Sequence, residues 1–370
     1  MLNKEEIREK ALSIGFSSCG FTTPAQPIHY AIFENWIKKG FHANMVYLER
    51  QPGLSARKDP HRLLSNCLSI IVLTYPYTHK DASDNPLIGN IASYVQTQDY
   101  HVFLPGLINE LYKYIQGSLD QPVQYDIFTD SSPILERELA WSAGLGWIGK
   151  NGSLISRSGG SFTFIAELFL DIRLDPDKPD SHDYCGNCTR CLDACPTHCI
   201  QPDRTIDSNL CLAYHTIENK GSIPTSLRPA LANRIFGCDT CLTVCPWNKK
   251  NNPAFTHYEQ PGNPGLLFEG LLNQEQFKNK YHNTPIMRAK YRGYKRNICI
   301  ALGNSKSLEA IPVLSQILLD ESEPLVRAHA AWALGSINHP LCRASLEKGL
   351  RIEKDLQVID EIVAALKTID

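Results

Sequence analysis

Apolar positions recur along this chain with two periods, one helical and one of strands. Ile7, Ala11, Leu12 and Ile14 follow Asn3 at helical spacing, with Glu6 at the capping-box position, so a helix is predicted over 3–15. "HYAIFENWIKKGF" repeats the helical period, as does "FLPGLINELYKYIQGSL", which breaks near Gly117. "CLSIIVLTYPY" (67–77) is a continuous apolar run rich in β-branched residues and reads as a buried strand. "VQYDIFTD" alternates and ends on polar residues, a strand entering a loop. "SPILERELAWSAGLGWIGK" is a helix that closes on glycines, and "GSFTFIAELFLDIRL" is one or two strands. Strands and helices alternating to about residue 178 imply an α/β or α+β domain built on a sheet.

Beyond that the pattern changes. "DPDKPDSHD" (175–183) is a Pro- and Asp-rich linker, and a cysteine-rich segment with few apolar residues runs from 184 to about 250, where bound metal must supply much of the stability. "KNNPAFTHYEQPGNPG" is a second linker. The remainder repeats itself: "KRNICIALGNSKSLEAIPVLSQILLD" resembles "VRAHAAWALGSINHPLCRASLEKGLR", with Gly303 matching Gly335. Each unit is two short amphipathic helices that bury their apolar faces only by stacking, as in a HEAT-type repeat. Such an array binds a partner or caps a catalytic domain. The division expected is 1–178, 179–260 and 261–370, and the overall class α+β, with an N-terminal α/β domain, a ferredoxin-like module and an all-α C-terminal repeat.

Composition adds mainly exclusions. The formal net charge is −2 and 21% of residues are charged, so any nucleic-acid surface must be a local patch. No apolar run reaches the roughly 18 residues of a membrane helix, and the polar N-terminus lacks the apolar segment of a secretory signal. A cytoplasmic protein without a membrane partner is expected. Thirteen cysteines in that reducing compartment are not disulfide staples. Cys19, Cys67, Cys299 and Cys342 lie among apolar neighbours and read as small core residues.

Eight others are patterned. Cys185, Cys188, Cys191, Cys195 and Pro196 give C-x2-C-x2-C-x3-C-P, the bacterial ferredoxin run whose fourth cysteine ligates the other cluster. A second run, "GCDTCLTVCPWN", holds Cys238, Cys241, Cys245 and Pro246 and lacks its first cysteine, for which Cys211 is the obvious replacement. The count closes on two [4Fe–4S] clusters. Cys185, Cys188, Cys191 and Cys245 hold one; Cys195, Cys211, Cys238 and Cys241 hold the other. Cys199 is surplus and reads as packing. Zinc would require tetrahedral sets of paired knuckles and leaves both C-x3-C-P runs unexplained. No G-x-G-x-x-G follows a strand, so a Rossmann nucleotide site has no support.

"ARKDP" (56–60), "DYH" (99–101), "TDSSPILERELAWSAGLGWIGKNGSLIS", the two cysteine runs and the terminal repeat occur in an order that resembles the epoxyqueuosine reductases across nearly the whole chain. The resemblance implies an oxidoreductase that binds cobalamin beside two [4Fe–4S] clusters. It would reduce epoxyqueuosine to queuosine at the wobble position of tRNA, drawing on an external electron donor. The family's proton donor maps to Asp130, which on sequence alone is equally apt as a helix N-cap. Cobalamin contacts map to Arg57, Thr97, Asp130, Asn151, Ser153, Leu154, Ile165 and Asp239. His101, a lone histidine, stays outside the metal set.

For the RNA, residues 288–296 ("RAKYRGYKR") interleave five basic residues, Arg288, Lys290, Arg292, Lys295 and Arg296, with two tyrosines, which suits phosphate contact and stacking. The blander reading is a solvated helix face. Glu218 and Lys220, in "TIENKGSIP", are further candidates for the anticodon stem. A monomer is expected. The alternatives are another cobalamin and iron–sulfur reductase, such as a reductive dehalogenase, and a non-catalytic iron–sulfur electron carrier.

Overall fold

The first helix, Lys4–Ile14, starts where its pattern places it. Asn3 accepts from the Glu5 N–H, and Gly15 ends the helix in the left-handed region at φ 116°, its N–H bonded to Ala11 and Leu12 carbonyls. A computed structural model of the chain describes residues 3–96, 98–249 and 262–369. Eight strands follow in chain order: β1 Ser18–Thr22, β2 Ser69–Pro76, β3 Asn90–Ile91, β4 Tyr125–Phe128, β5 Trp147–Ile148, β6 Leu154–Ile155, β7 Thr163–Leu170 and β8 Arg234–Phe236.

The chain gathers into two compact units, Met1–His79 with Thr97–Asn209 and Thr240–Tyr258, and Lys80–Gln96 with Leu210–Asp239 and Glu259–Asp370. These boundaries differ from the three sequence segments. The cysteine-rich segment has too few apolar side chains for a core of its own, and its parts join the cores of both units. The linker stretch 250–261 lies outside the described residues.

In the first unit a four-stranded sheet has the order β1-β2-β7-β4. Every pairing in it is antiparallel: Ser18 faces Thr74, Ile70 faces Phe169, and Phe128 faces Glu167. The unit is therefore α+β, and the α/β expectation for this part of the chain is corrected. Strand–helix alternation in sequence does not distinguish parallel crossovers from antiparallel returns. β2 is buried almost throughout, which explains its unbroken apolar run. Ile70, Val72 and Phe169 form one core with Leu139, Ala140 and Ala143 from around the helix Glu136–Ser142. Phe164, one residue out of phase with Ile165 and Glu167, stacks on Tyr100 at 4.5 Å on the opposite face. That face carries the helix Tyr100–Gly117, which ends where its pattern breaks.

In the second unit the helices Lys290–Ser305, Ala310–Asp320, Pro324–Ile337, Leu341–Ile352 and Leu356–Thr368 stack as the repeat requires. The matched glycines explain the periodicity. A Cβ on Gly303 would lie 2.7 Å from the Ala333 Cα, and one on Gly335 2.8 Å from the Ala365 Cα. Both positions let every second helix, Lys290–Ser305 against Pro324–Ile337 and that one against Leu356–Thr368, touch backbone to backbone. The same unit pairs β3 in parallel with β8.

Candidate active site

Asp130 follows β4 by two residues and holds a left-handed backbone at φ 53°, which aspartate tolerates better than most side chains. It is not a helix cap. The next helix starts after Leu135, which makes no side-chain capping bond. Two elements converge on it instead. Tyr100, at the start of the helix on one sheet face, donates its hydroxyl to Asp130 Oδ2 at 2.7 Å. His101 Nε2 lies 3.4 Å from the same oxygen, and its Nδ1 lies 2.8 Å from Asp99 Oδ1. Asp99 also caps that helix through the His101 N–H. Hydrogen bonds to Asp130 and then to Asp99 push the imidazole up to about 9.

From the other face, Glu136 accepts the Asp130 N–H. Burial, then the nearby Asp130 charge, raises the Glu136 carboxyl to about 8. Glu167, on β7, is fully buried, and neither carboxylate oxygen has a hydrogen-bond partner. Burial, then Glu136 and Asp130, keeps this acid protonated well above the usual carboxylate range. Arg137 donates to the Gly152 carbonyl, tying this helix to the glycine turn between β5 and β6. On sequence Asp130 is singled out and His101 weighed only as a metal ligand, while Tyr100, Glu136 and Glu167 receive no role. The signals available were "DYH" at a helix start and a lone Glu inside the apolar run "FIAELFL".

Arg57 ends the short helix Gly53–Lys58, is buried, and has an Nη1 without a hydrogen-bond partner. Burial lowers its pKa. Asn151 is buried in the β5–β6 turn; its Oδ1 accepts the Ser153 N–H at 3.3 Å and its Nδ2 lies 3.5 Å from the Cys241 carbonyl. Leu154 is buried on β6, and the Ile165 carbonyl accepts from Thr129 Oγ1 at 3.0 Å, one residue before Asp130. These residues belong to the first unit; Asp239 belongs to the second, where it accepts the Ser93 N–H at 2.7 Å. Thr97 lies outside the described residues.

None of the thirteen cysteines forms a disulfide. Cys191 sits on the helix Arg190–Ala194, which packs against Thr240–Thr243, the helix that carries Cys241. The two C-P steps have nearly the same backbone: Cys195 at φ −67°, ψ 113° and Cys245 at φ −68°, ψ 124°. Cys195 caps the end of its helix and Cys245 lies two residues beyond Thr240–Thr243, each followed by a proline that keeps the helix from continuing. Cys245 is buried with Trp147 and Ile155, and Cys185 packs against that group. In the second unit Cys211 precedes the helix Leu212–Ile217, and Cys238 lies against Leu212, Ile223 and Leu231. Cys199 is buried with its Sγ 3.5 Å from that of Cys195.

The basic segment divides. Arg288, Lys290 and Arg292 are exposed. Lys295 is buried, 2.9 Å from Glu321 and 2.8 Å from the Tyr291 hydroxyl. Arg296 is fully buried and donates to the His215, Asn219 and Gly221 carbonyls. Neither side chain reaches solvent, so both leave the RNA-contact set: the helix turns them into the repeat core, where a charge run read without its helical phase cannot place them. Arg288 pairs with Glu218 through two bonds, at 2.7 and 3.0 Å, and Lys220 donates to the Ile217 and Arg288 carbonyls.

Comparison with known proteins decides the family. The chain is 35% identical over 341 residues to the epoxyqueuosine reductase of Pseudomonas aeruginosa, covering 89% of this chain and 93% of that one. This chain belongs to the epoxyqueuosine reductase family. It is an oxidoreductase. Three family models match parts of it: "Epoxyqueuosine reductase QueG, DUF1730" at 57–131, "4Fe-4S double cluster binding domain" at 184–248 and "HEAT repeats" at 284–367. An epoxyqueuosine reductase solved with a tRNA-Tyr epoxyqueuosine-modified stem loop superposes with a TM-score of 0.90 at 29% identity, covering 99% of this chain and 98% of that one. A Bacillus subtilis epoxyqueuosine reductase, solved with its aspartate-bearing catalytic loop swung out of the active site, gives the same TM-score and identity, with 99% of each chain covered. The match at 184–248 spans all eight patterned cysteines, Cys211 included, within one iron–sulfur binding domain and so supports iron–sulfur clusters over zinc. Among the described residues no helix is long and apolar enough to cross a membrane.

Proposed function

We propose that this chain reduces the epoxide of epoxyqueuosine to the alkene of queuosine at the wobble position of a tRNA anticodon, with Asp130 as proton donor. The overall change is epoxide plus two electrons and two protons to alkene plus water. An external donor supplies the electrons; the cysteine sets assigned above would hold two [4Fe–4S] clusters, whose chemistry is one-electron relay. Cobalamin, when bound, presents a low-valent, nucleophilic cobalt to the epoxide. Its holders are Arg57, Thr97, Asn151, Ser153, Leu154, Ile165 and Asp239. The partnerless Nη1 of Arg57 supports this, because a buried guanidinium N–H without an acceptor is costly and the carboxamide rim of a corrin is rich in acceptors.

The observation that carries the reading is the Asp130 turn. Its carboxyl group is presented to solvent with one oxygen engaged by Tyr100 and His101. A protonated His101 beside that oxygen is placed to return the proton that Asp130 spends. The leaving oxygen takes its protons from this group. Arg288, Lys290 and Arg292 supply exposed positive charge for the RNA backbone, with the Glu218–Lys220 loop beside Arg288. The protein acts as a monomer in the cytoplasm.

The test is the iron and corrinoid content of anaerobically purified protein, with and without added cobalamin. About eight irons and one corrinoid per chain are expected for two cubanes and one cofactor. Iron without corrinoid affinity would instead indicate a plain electron carrier and overturn the reading.

A further inference from the structure

Asp130 needs a mechanical explanation. A left-handed aspartate on an exposed turn is costly to hold in one orientation, and the following helix offers it no cap. Its backbone N–H bonds to Glu136, and the Ser131 N–H bonds back to the Thr129 carbonyl at 2.6 Å across the same turn. Glu136 is the first residue of the helix packed against β1, β2 and β7, so it is anchored at a rigid element. We infer that Glu136 is a positioning residue for the proton donor: its carboxyl oxygen latches the Asp130 N–H and so fixes where the Asp130 carboxyl meets Tyr100 and His101. The inference rests on the proposed role of Asp130.

The groups facing the latch are few. Arg137 lies on its own helix, Asp130 on the turn, His101 on the helix across the sheet, and Glu167 on β7. Arg137 turns its guanidinium to Gly152, and Glu167 is a neutral acid. Among the described residues no cation makes an ion pair with Glu136; burial and the Asp130 charge outweigh the opposing charges of Arg137 and His101 and raise its carboxyl to about 8. A neutral carboxyl accepts the N–H through its carbonyl oxygen. The ionised form accepts it more strongly, because charge-assisted bonds are the tighter ones. The latch thus tightens as pH rises.

Hydrogen exchange in the peptide 128–135, measured as protection on iron-loaded protein, reads the latch without requiring catalysis. Protection is expected to rise through about pH 8 in wild type, and the step is expected to vanish in Glu136→Gln, whose amide oxygen still accepts but cannot ionise. Glu136→Leu, which removes the acceptor, is expected to lose about tenfold or more in protection and in kcat, with KM for the modified stem loop within about twofold. Glu136→Gln should keep kcat within about threefold at neutral pH. Unchanged protection in Glu136→Leu, or a Gln variant as impaired as the Leu variant, would overturn the latch. Should Glu136→Leu fail to fold, the pH step and its loss in Glu136→Gln still decide. Protection that responds as stated while kcat does not would leave the latch standing and remove Asp130 from its catalytic role.

Discussion

The Tyr100 hydroxyl donates to Asp130 Oδ2 at 2.7 Å, and the tyrosine ring lies stacked between Phe164 and His101. The ring is locked by packing, so the hydroxyl is a fixed donor to the acid. Tyr100→Phe keeps the stack and removes one bond. Steady-state kinetics should show a fall in kcat of about tenfold, corresponding to roughly 1–2 kcal/mol, with iron and corrinoid content unchanged.

His101 bridges two carboxylates, which raises its pKa from 6.5 to about 9. A group whose folded pKa is raised contributes stability that is complete below its unfolded pKa and fades as pH rises through the folded value. Wild type should therefore be more stable than His101→Gln at pH 6, and the difference should shrink between about 6.5 and 9 and be absent above that. Thermal melts of both proteins across that range check it.

The basic segment separates into surface and core by helical phase. Arg292→Ala and Lys290→Ala should each weaken binding of the RNA stem loop and lower the salt slope by about one, with little change in melting temperature. Lys295→Ala and Arg296→Ala should instead cost about 2–4 kcal/mol of stability, because they strip hydrogen bonds from buried carbonyls and, at Lys295, leave Glu321 without its buried cation. Chemical denaturation beside a salt titration of binding separates the two pairs.

Part of this organisation is visible in the sequence because its causes are local. The C-P steps at Cys195 and Cys245 stop a helix and turn the chain, and they do so in the same conformation twice. The offset of Gly303 and Gly335 is legible because each must admit the corresponding helix one repeat further on. The antiparallel sheet is not legible, since pairing is set by which strands meet and not by the pattern within one. Nor is the inward turn of Arg296, whose neighbours His215, Asn219 and Gly221 lie far away in sequence. Glu167 sits in an otherwise apolar strand, and only the packing around it shows that it faces Glu136 and Asp130.

Gly303 tests the repeat. Gly303→Ala places a methyl 2.7 Å from the Ala333 Cα, where backbone must move. A loss of about 1–3 kcal/mol is expected, read by denaturant unfolding. The same change at Gly106, where nothing lies within 4 Å, should not destabilise.

The central claim is that Asp130 gives the proton in a reduction driven through the iron–sulfur clusters. Its most direct test is anaerobic turnover of an epoxyqueuosine-containing RNA stem loop by cluster- and cobalamin-loaded protein, wild type against Asp130→Asn, with product read by mass spectrometry. Wild type is expected to yield queuosine with loss of one oxygen, and Asp130→Asn to bind the same iron, corrinoid and RNA while turning over at least about a hundredfold more slowly. Equal rates for the two proteins, or no queuosine from fully loaded wild type, would contradict it.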